Sequence, residues 1–141
     1  MQETTDRMAI IAFSGTVDKM IAVSTLATGA VAMGMEVDIF VTTWGLQAFR
    51  KGASQTNMRI SKDFEEFGPA MMEAMQAKKM PSWLDTLKQA MEFGDIHVFA
   101  CSQTMELLGM SVDDLEDIVE DVMGAAGFIG RAQNSKIQLF I

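Results

Sequence analysis

The sequence predicts an α/β fold, a three-layer structure in which an open, mostly parallel sheet carries helices on both faces. Three observations predict it. Short apolar runs rich in β-branched and aromatic residues alternate with segments of helical periodicity. Tight connections join them, as in the strand–helix–strand unit of a parallel sheet. The length of 141 residues fits a single domain spanning 1–141.

The first strand is predicted over 8–13, a short apolar run that ends at the turn Ser14-Gly15. A helix is predicted over 18–33, because apolar residues recur there at helical spacing and Gly34 is placed to end it. This helix is apolar on nearly all sides, so we expect it to be buried on more than one of them.

The second strand is predicted over 36–41, which is rich in β-branched and aromatic residues. Thr42 or Thr43 is placed to cap a short helix over 44–51. A strand, a helix, a second strand and a second helix joined by such short connections are typical of a parallel sheet.

The segment 52–82 is the least regular part of the chain and contains both of its prolines. A helix is predicted over 69–78, because Pro69 suits the first position of a helix. Two interpretations of the whole segment remain open: a lid or oligomer contact, and a surface excursion with no special role.

Three further elements follow. A helix is predicted over 83–93 from its apolar face and the closing Gly94, and a third strand over 96–100. A short helix is predicted over 102–108, with Gly109 behind it. The third strand therefore runs directly into a helix.

The last part of the chain is predicted to contain a helix over 111–123 with Ser111 as its cap. A break or loose turn over 124–130 follows, then a helical stretch over 131–134 and a final strand over 137–141.

The formal charge is −8, from 11 basic and 19 acidic residues, which argues against a nucleic-acid partner. The compact basic cluster Lys78-Lys79 is too small for a phosphate-binding surface. The acidic run over 113–121 is interpreted as the solvated face of the predicted helix. With one histidine and one cysteine besides, we predict neither a metal site nor a cofactor.

Apolar residues make up 49% of the chain, yet no stretch approaches the roughly 20 apolar residues of a membrane helix. We therefore expect no membrane insertion, and we expect some apolar surface to be hidden in a homo-oligomer. Residues 1–7 are polar and lack the apolar core of a signal peptide. With no export signal and no pair of cysteines, a cytoplasmic location is expected.

Cys101, the only cysteine, lies where the third strand meets the following helix. Ligands of open α/β sheets bind at the carboxyl ends of the strands, and a helix N-terminus there favours thiolate over thiol. A lone cysteine excludes an internal disulfide, a C-x-x-C pair and a cysteine-rich zinc site. The alternative is an inert, buried thiol that fills apolar space.

Three predicted strand ends bring Ser14-Gly15, Thr42-Thr43-Trp44 and Cys101-Ser102 to the same rim of the sheet. We expect Trp44 near the thiol, where it would exclude water, and the alternative is an ordinary core tryptophan. His97 lies four strand residues before Cys101, roughly 13 Å away, so it is not assigned as a base. No phosphate-loop motif occurs.

Two motifs identify a resemblance. Residues 28–37, Thr-Gly-Ala-Val-Ala-Met-Gly-Met-Glu-Val, are followed by Phe40 and by Thr-Trp-Gly-Leu at 43–46. Residues 99–110 read Phe-Ala-Cys-Ser-Gln-Thr-Met-Glu-Leu-Leu-Gly-Met. Together they resemble the DsrE/DsrF-like sulfur-relay family, most closely its DsrE2 branch, in a pattern that runs from about residue 8 to the C-terminus.

The resemblance implies a single DsrE-like domain of flavodoxin-like architecture that forms oligomers. It also implies a sulfur carrier or sulfurtransferase in which Cys101 holds sulfane sulfur as a persulfide. The expected partners are sulfur-donor and sulfur-acceptor proteins or small sulfane-sulfur compounds. The predicted substrate-binding residues are those at the rim: Ser14, Gly15, Thr43, Trp44 and Ser102. The rival hypothesis is a non-catalytic oligomeric ligand-binding or scaffold protein with an inert thiol.

Overall fold

The structure, a computed structural model, describes residues 5–141. Residues 1–4, part of the polar N-terminal segment noted above, lie outside the described residues. Five parallel strands form one sheet in the order β4-β3-β2-β1-β5. The strands are β1 (Thr5–Ala12), β2 (Glu36–Val41), β3 (Ile96–Cys101), β4 (Val119–Met123) and β5 (Ser135–Phe140).

Helices connect the strands and cover both faces of the sheet. They are α1 (Val17–Ala32), α2 (Trp44–Ala48), α3 (Ala53–Thr56), α4 (Gly68–Ala77), α5 (Trp83–Met91), α6 (Ser102–Leu108) and α7 (Ala125–Ala132). Side chains alternate between the two faces of a strand, so alternate residues of β1, β2 and β3 enter different cores. The larger core lies under α1 and α5, and the smaller one lies under α7. This arrangement confirms the predicted three-layer α/β fold.

The predicted helix over 111–123 is wrong. A single 3₁₀ turn (Val112–Asp114) is followed by strand β4. Ser111 does form the capping box with Asp114, but it caps only that turn. A β-bulge explains the misleading pattern: the register shifts between the pairs Val98–Val119 and Phe99–Asp121, so apolar β4 residues on one face are three apart, as in a helix.

The acidic residues over 113–121 therefore lie on this turn, on strand β4 and between the two, and they do not form one face of a helix. Within residues 5–141, no group of three or more His, Cys, Asp or Glu side chains is arranged to hold a metal ion. In the same part of the chain, no helix is both long enough and apolar enough to cross a membrane.

Helix α7 replaces the loose turn predicted over 124–130. Its two glycines weaken helix propensity, and tertiary contacts compensate for them. Phe128 is buried and stacks on Phe40 of β2 with ring centroids 4.8 Å apart. Arg131 pairs with Asp38 of the same strand. These contacts are remote in sequence, which is why the local pattern does not indicate the helix.

Helix α1 is buried on one face only, contrary to expectation. Met20, Val23 and Ala27 face the core, whereas Leu26 is exposed, as is Met33 directly after the helix. In the irregular segment 52–82, α4 buries only its first residue, Gly68. Both elements therefore leave apolar side chains on the surface of the single chain.

Candidate functional site

The loops after β1 and β2 touch at the carboxyl rim of the sheet. The N–H of Gly45 donates to the carbonyl oxygen of Phe13 at 2.7 Å. A Cβ atom on Gly15 would lie 2.1 Å from the carbonyl oxygen of Trp44, and one on Gly45 would lie 2.1 Å from that of Ala12. Only glycine allows this approach, so the two loops form one rigid unit.

Cys101 is the last residue of β3 and immediately precedes α6. The residue is 6% exposed and packs in the smaller core with Phe40, Phe99 and Phe128. The thiol therefore lies on the α7 face of the sheet, at the rim predicted from the sequence. Its sulfur makes no regular capping hydrogen bond to α6.

Two threonine hydroxyls lie close enough to the sulfur of Cys101 to lower its pKa. Thr42 follows β2, Thr104 lies in the first turn of α6, and their hydroxyl oxygens are 3.2 Å apart. The oxygen of Thr104 also accepts the N–H of Thr43 at 2.9 Å. The hydroxyl proton of Thr104 is free to be donated either to Thr42 or to the sulfur.

These groups decide the charge of the thiol. Burial raises the pKa of Cys101, but the hydroxyls of Thr104 and Thr42 and the N–H groups of Thr104 and Gln103 lower it, and the net pKa lies below that of an ordinary cysteine. Donors aimed at a sulfur stabilise the thiolate more than the thiol. The site therefore shifts Cys101 toward the thiolate form and shields it from bulk water.

Thr43 adopts an unusual backbone conformation, with φ 51° and ψ −117°. For a β-branched residue this conformation is strained, and such strain costs about 1–3 kcal/mol. The side chain of Thr43 does not cap α2 as predicted. Its N–H is instead committed to Thr104, so the strained residue fixes the hydroxyl beside the thiol.

The predicted substrate-binding residues fall into two groups. Ser14, Gly15 and Trp44 line a cleft of about 660 Å³, and Cys101, Thr43 and Ser102 are not among its lining residues. Trp44 is 57% exposed, which excludes the core-tryptophan alternative. The loop 42–44 runs between the cleft and the thiol. Ser102 is exposed at the start of α6 and faces Gly124, just before α7.

A buried ion pair holds α7 over the thiol. Asp38 is fully buried and receives two hydrogen bonds from the guanidinium of Arg131, at 2.9 and 3.0 Å. The hydrogen bond to Asp38 is the main cause that raises the pKa of Arg131. The Arg131 guanidinium also lies 4.9 Å from the ring centre of Phe99, a cation–π contact. Arg7 approaches the same carboxylate from β1, at 3.4 Å.

His97 lies apart from the thiol, as expected. Its Nδ1 is 2.7 Å from a carboxylate oxygen of Glu120 in β4. It makes no contact that would let it act as the base for Cys101.

Sequence reasoning missed Thr104 and the pair Asp38–Arg131. The spacing Cys-x-x-Thr across a strand–helix junction is a usable signal for the first, because a side chain three residues into a helix turns back toward the residue before it. No local signal exists for the second, since its partners are separated by 93 positions.

Comparison with known proteins gives a consistent result. A profile of the DsrE/DsrF/DrsH-like family matches residues 4–63 and 52–140. The chain is 32% identical over 163 residues to the uncharacterized protein YrkE of Bacillus subtilis (strain 168), with 100% of both proteins covered. It is 31% identical over 156 residues to the sulfur carrier protein DsrE2 of Allochromatium vinosum, covering 96% of this chain and 98% of that protein.

Among solved structures, the protein of unknown function MTH1491 from Methanobacterium thermoautotrophicum has a similar fold. The TM-score is 0.59 at 16% identity, with 96% of this chain and 98% of the other covered. At that identity the likeness concerns the fold alone. The profile and the two relatives confirm the resemblance noted in the sequence, and the chain belongs to the DsrE/DsrF/DrsH-like family.

Proposed function

We propose that this protein is a sulfur carrier that relays sulfane sulfur as a persulfide on Cys101. The observation that carries the proposal is the setting of that thiol: a sulfur at the strand–helix junction whose pKa is lowered by two hydroxyls and two N–H groups. The relative from Allochromatium vinosum, which is named a sulfur carrier protein, supports the same reading.

The uptake step needs only a donor that carries sulfane sulfur, either a protein persulfide or a small compound. The Cys101 thiolate attacks the outer sulfur of a donor R–S–SH. A new S–S bond forms on Cys101, the old S–S bond breaks, and the donor leaves as the thiolate R–S⁻. No net oxidation or reduction occurs, because one S–S bond replaces another.

The delivery step reverses the roles. An acceptor thiolate attacks the outer sulfur of the Cys101 persulfide, and Cys101 leaves as a thiolate. The donors around Cys101 assist both steps, since they stabilise the thiolate when it attacks the donor and again when it leaves toward the acceptor. With no second cysteine in the chain, the persulfide is not resolved into an internal disulfide, which suits a carrier.

We assign roles to the surrounding residues from their positions, either beside the thiol or in the neighbouring cleft. Thr43 and Ser102 flank the thiol and are proposed to contact the transferred sulfur or its carrier. Ser14, Gly15 and Trp44 are proposed to contact the donor or acceptor from the neighbouring cleft. The mechanism requires no cofactor and no metal ion. The proposed setting is a cytoplasmic homo-oligomer that meets sulfur-donor and sulfur-acceptor proteins.

The test is intact mass after brief exposure to polysulfide, for the wild type and for Cys101→Ser. We expect one added sulfur atom on the wild type, removable by a reductant, and none on the variant. A wild type that stays unmodified, with a thiol that resists alkylation until the protein unfolds, would support the scaffold hypothesis with an inert thiol.

A further inference from the structure

We propose that the cleft beside Trp44 binds a small organic anion with one negatively charged group and a flat, apolar body. Its volume of about 660 Å³ lies within the range of roughly 300–1,000 Å³ that is usual for small-molecule sites. The inference builds on the cleft contacts proposed above and goes beyond them by naming the chemical class of the ligand, and Cys101 is not among the lining residues. Binding can therefore be measured whether or not the thiol carries sulfur.

The wall of the cleft that Asn57 and Arg59 form is fixed to the body of the protein. The side-chain amide of Asn57 donates to the carbonyl oxygen of Gly15 at 2.8 Å. The N–H of Val17, the first residue of α1, donates to the carbonyl oxygen of Arg59 at 2.7 Å. These hydrogen bonds tie the irregular segment after α3 to the loop after β1. The cleft is thus formed before any ligand arrives, which reduces the entropic cost of binding.

The charge of the cleft is opposite to that of the whole chain. Arg59 lines it, and no carboxylate does so among the described residues, although the chain carries 19 acidic residues and a net charge of −8. Arg59 also forms no ion pair with any carboxylate in residues 5–141. An exposed guanidinium with its donors unengaged favours a carboxylate, sulfonate or similar anion.

The remaining surface of the cleft suits an apolar body. The indole of Trp44 is 57% exposed, whereas the other tryptophan, Trp83, is 3% exposed in the core. Ala48 and Ala53 also line the cleft. A flat ligand that stacks on the indole would remove apolar surface from water while its anionic group meets Arg59. The hydroxyls of Ser14 and Thr16 offer further hydrogen bonds at the rim.

The experiment compares two probes that differ in charge and share one flat body, naphthalene-2-sulfonate and naphthalene-2-sulfonamide. The reference protein is Cys101→Ser, called the wild type in this experiment, and the changes Arg59→Gln, Trp44→Ala and Lys88→Gln are added to it one at a time. All four proteins are titrated by calorimetry. We expect the sulfonate to bind saturably with one site per chain, and at least tenfold more weakly to Arg59→Gln and Trp44→Ala. Lys88→Gln, which removes an exposed charge from α5, should bind as the wild type does.

Three results would overturn the proposal: no saturable binding of the sulfonate, equal binding of the sulfonamide, or equal binding of the sulfonate by Arg59→Gln. Because both changed side chains are exposed, misfolding is not the expected cause of any loss, and an unchanged circular dichroism spectrum checks this. Failure here leaves the persulfide test unaffected, since that test is read on Cys101.

Discussion

Thr104 is the residue that connects three features of the site: the strained backbone of Thr43, the hydroxyl of Thr42 and the thiol of Cys101. It is buried, so its hydroxyl works in surroundings where a hydrogen bond to a charged group is stronger than in water. Removing that hydroxyl should therefore change the charge of the thiol more than it changes the shape of the site.

We expect the alkylation rate of wild-type Cys101 to reach half of its maximum at a lower pH than that of an unstructured cysteine, because the folded pKa is lowered. Thr104→Val keeps the branched shape and removes the hydroxyl. Its half-maximum should move to higher pH, and its rate at neutral pH should fall about tenfold, since a hydrogen bond to a charged group is worth roughly 1.5–3 kcal/mol. The measurement is the pseudo-first-order rate with iodoacetamide from pH 5 to pH 10.

Two control variants accompany this series. Thr104→Ser retains the hydroxyl and should keep the wild-type profile. Thr25→Val makes the same chemical change at an exposed position on α1 and should have no effect. Identical profiles for wild type and Thr104→Val would remove Thr104 from the thiol's setting.

For single residues, the sequence predicts the place of the thiol but not the hydroxyl groups that surround it. The junction of β3 and α6 at Cys101 and Ser102 is local, because an apolar run stops where a helical pattern begins. The hydroxyls come from Thr42 and Thr104, 62 positions apart, and meet only because β2 and β3 are neighbours in the sheet. The exposure of Trp44 depends likewise on how two loops pack.

Helix α7 is held to the sheet by few residues, although it covers the thiol. It has eight residues, and Phe128 is the one that is buried. The pair Arg131–Asp38 supplies the other strong contact with the sheet. Since α7 covers the apolar core that contains Cys101, the stability of this helix should govern how readily a reagent reaches the thiol.

Asp38→Asn should destabilise the fold by on the order of 3 kcal/mol, because it removes the charge that neutralises two arginines around a fully buried position. The measurement is the free energy of unfolding in urea. Asp6→Asn is the matched control: Asp6 pairs with Lys136 at the surface, and such pairs contribute at most about 1 kcal/mol. Equal losses in the two variants would contradict the structural role given to Asp38.

The elements that the sequence does not predict are those that depend on contacts with residues distant in the chain. In strand β4 a bulge brings apolar residues that are three apart in sequence to the same face of the sheet. In α7 the glycines lower the helix propensity, and packing against Phe40 and Asp38 compensates for this. In contrast, β2 and α6 match their predicted bounds, because each has a clear period and a stop signal within its own sequence. The local sequence pattern is sufficient to predict an element when the element does not depend on distant contacts.

For the whole molecule, the exposed apolar side chains predict assembly. Phe93 is 83% exposed, and Phe13 stacks on Phe140 at the surface with ring centroids 5.6 Å apart. Patches of this kind on a chain are commonly covered by a second subunit. Light scattering at micromolar concentration should therefore report more than one subunit. A strictly monomeric protein would contradict both this expectation and the proposed homo-oligomer.

The order of the strands also has a consequence for biosynthesis. Strands β1, β2 and β3 are neighbours and leave the ribosome in that order, so Thr42, Cys101 and Thr104 can meet while the nascent chain is still growing. Helix α7, which covers the thiol, and strand β5, which pairs with β1, are translated after these three strands. The growing polypeptide therefore passes through a stage in which the nucleophile is uncovered and one edge of β1 is unpaired, a stage at which a chaperone would have something to protect.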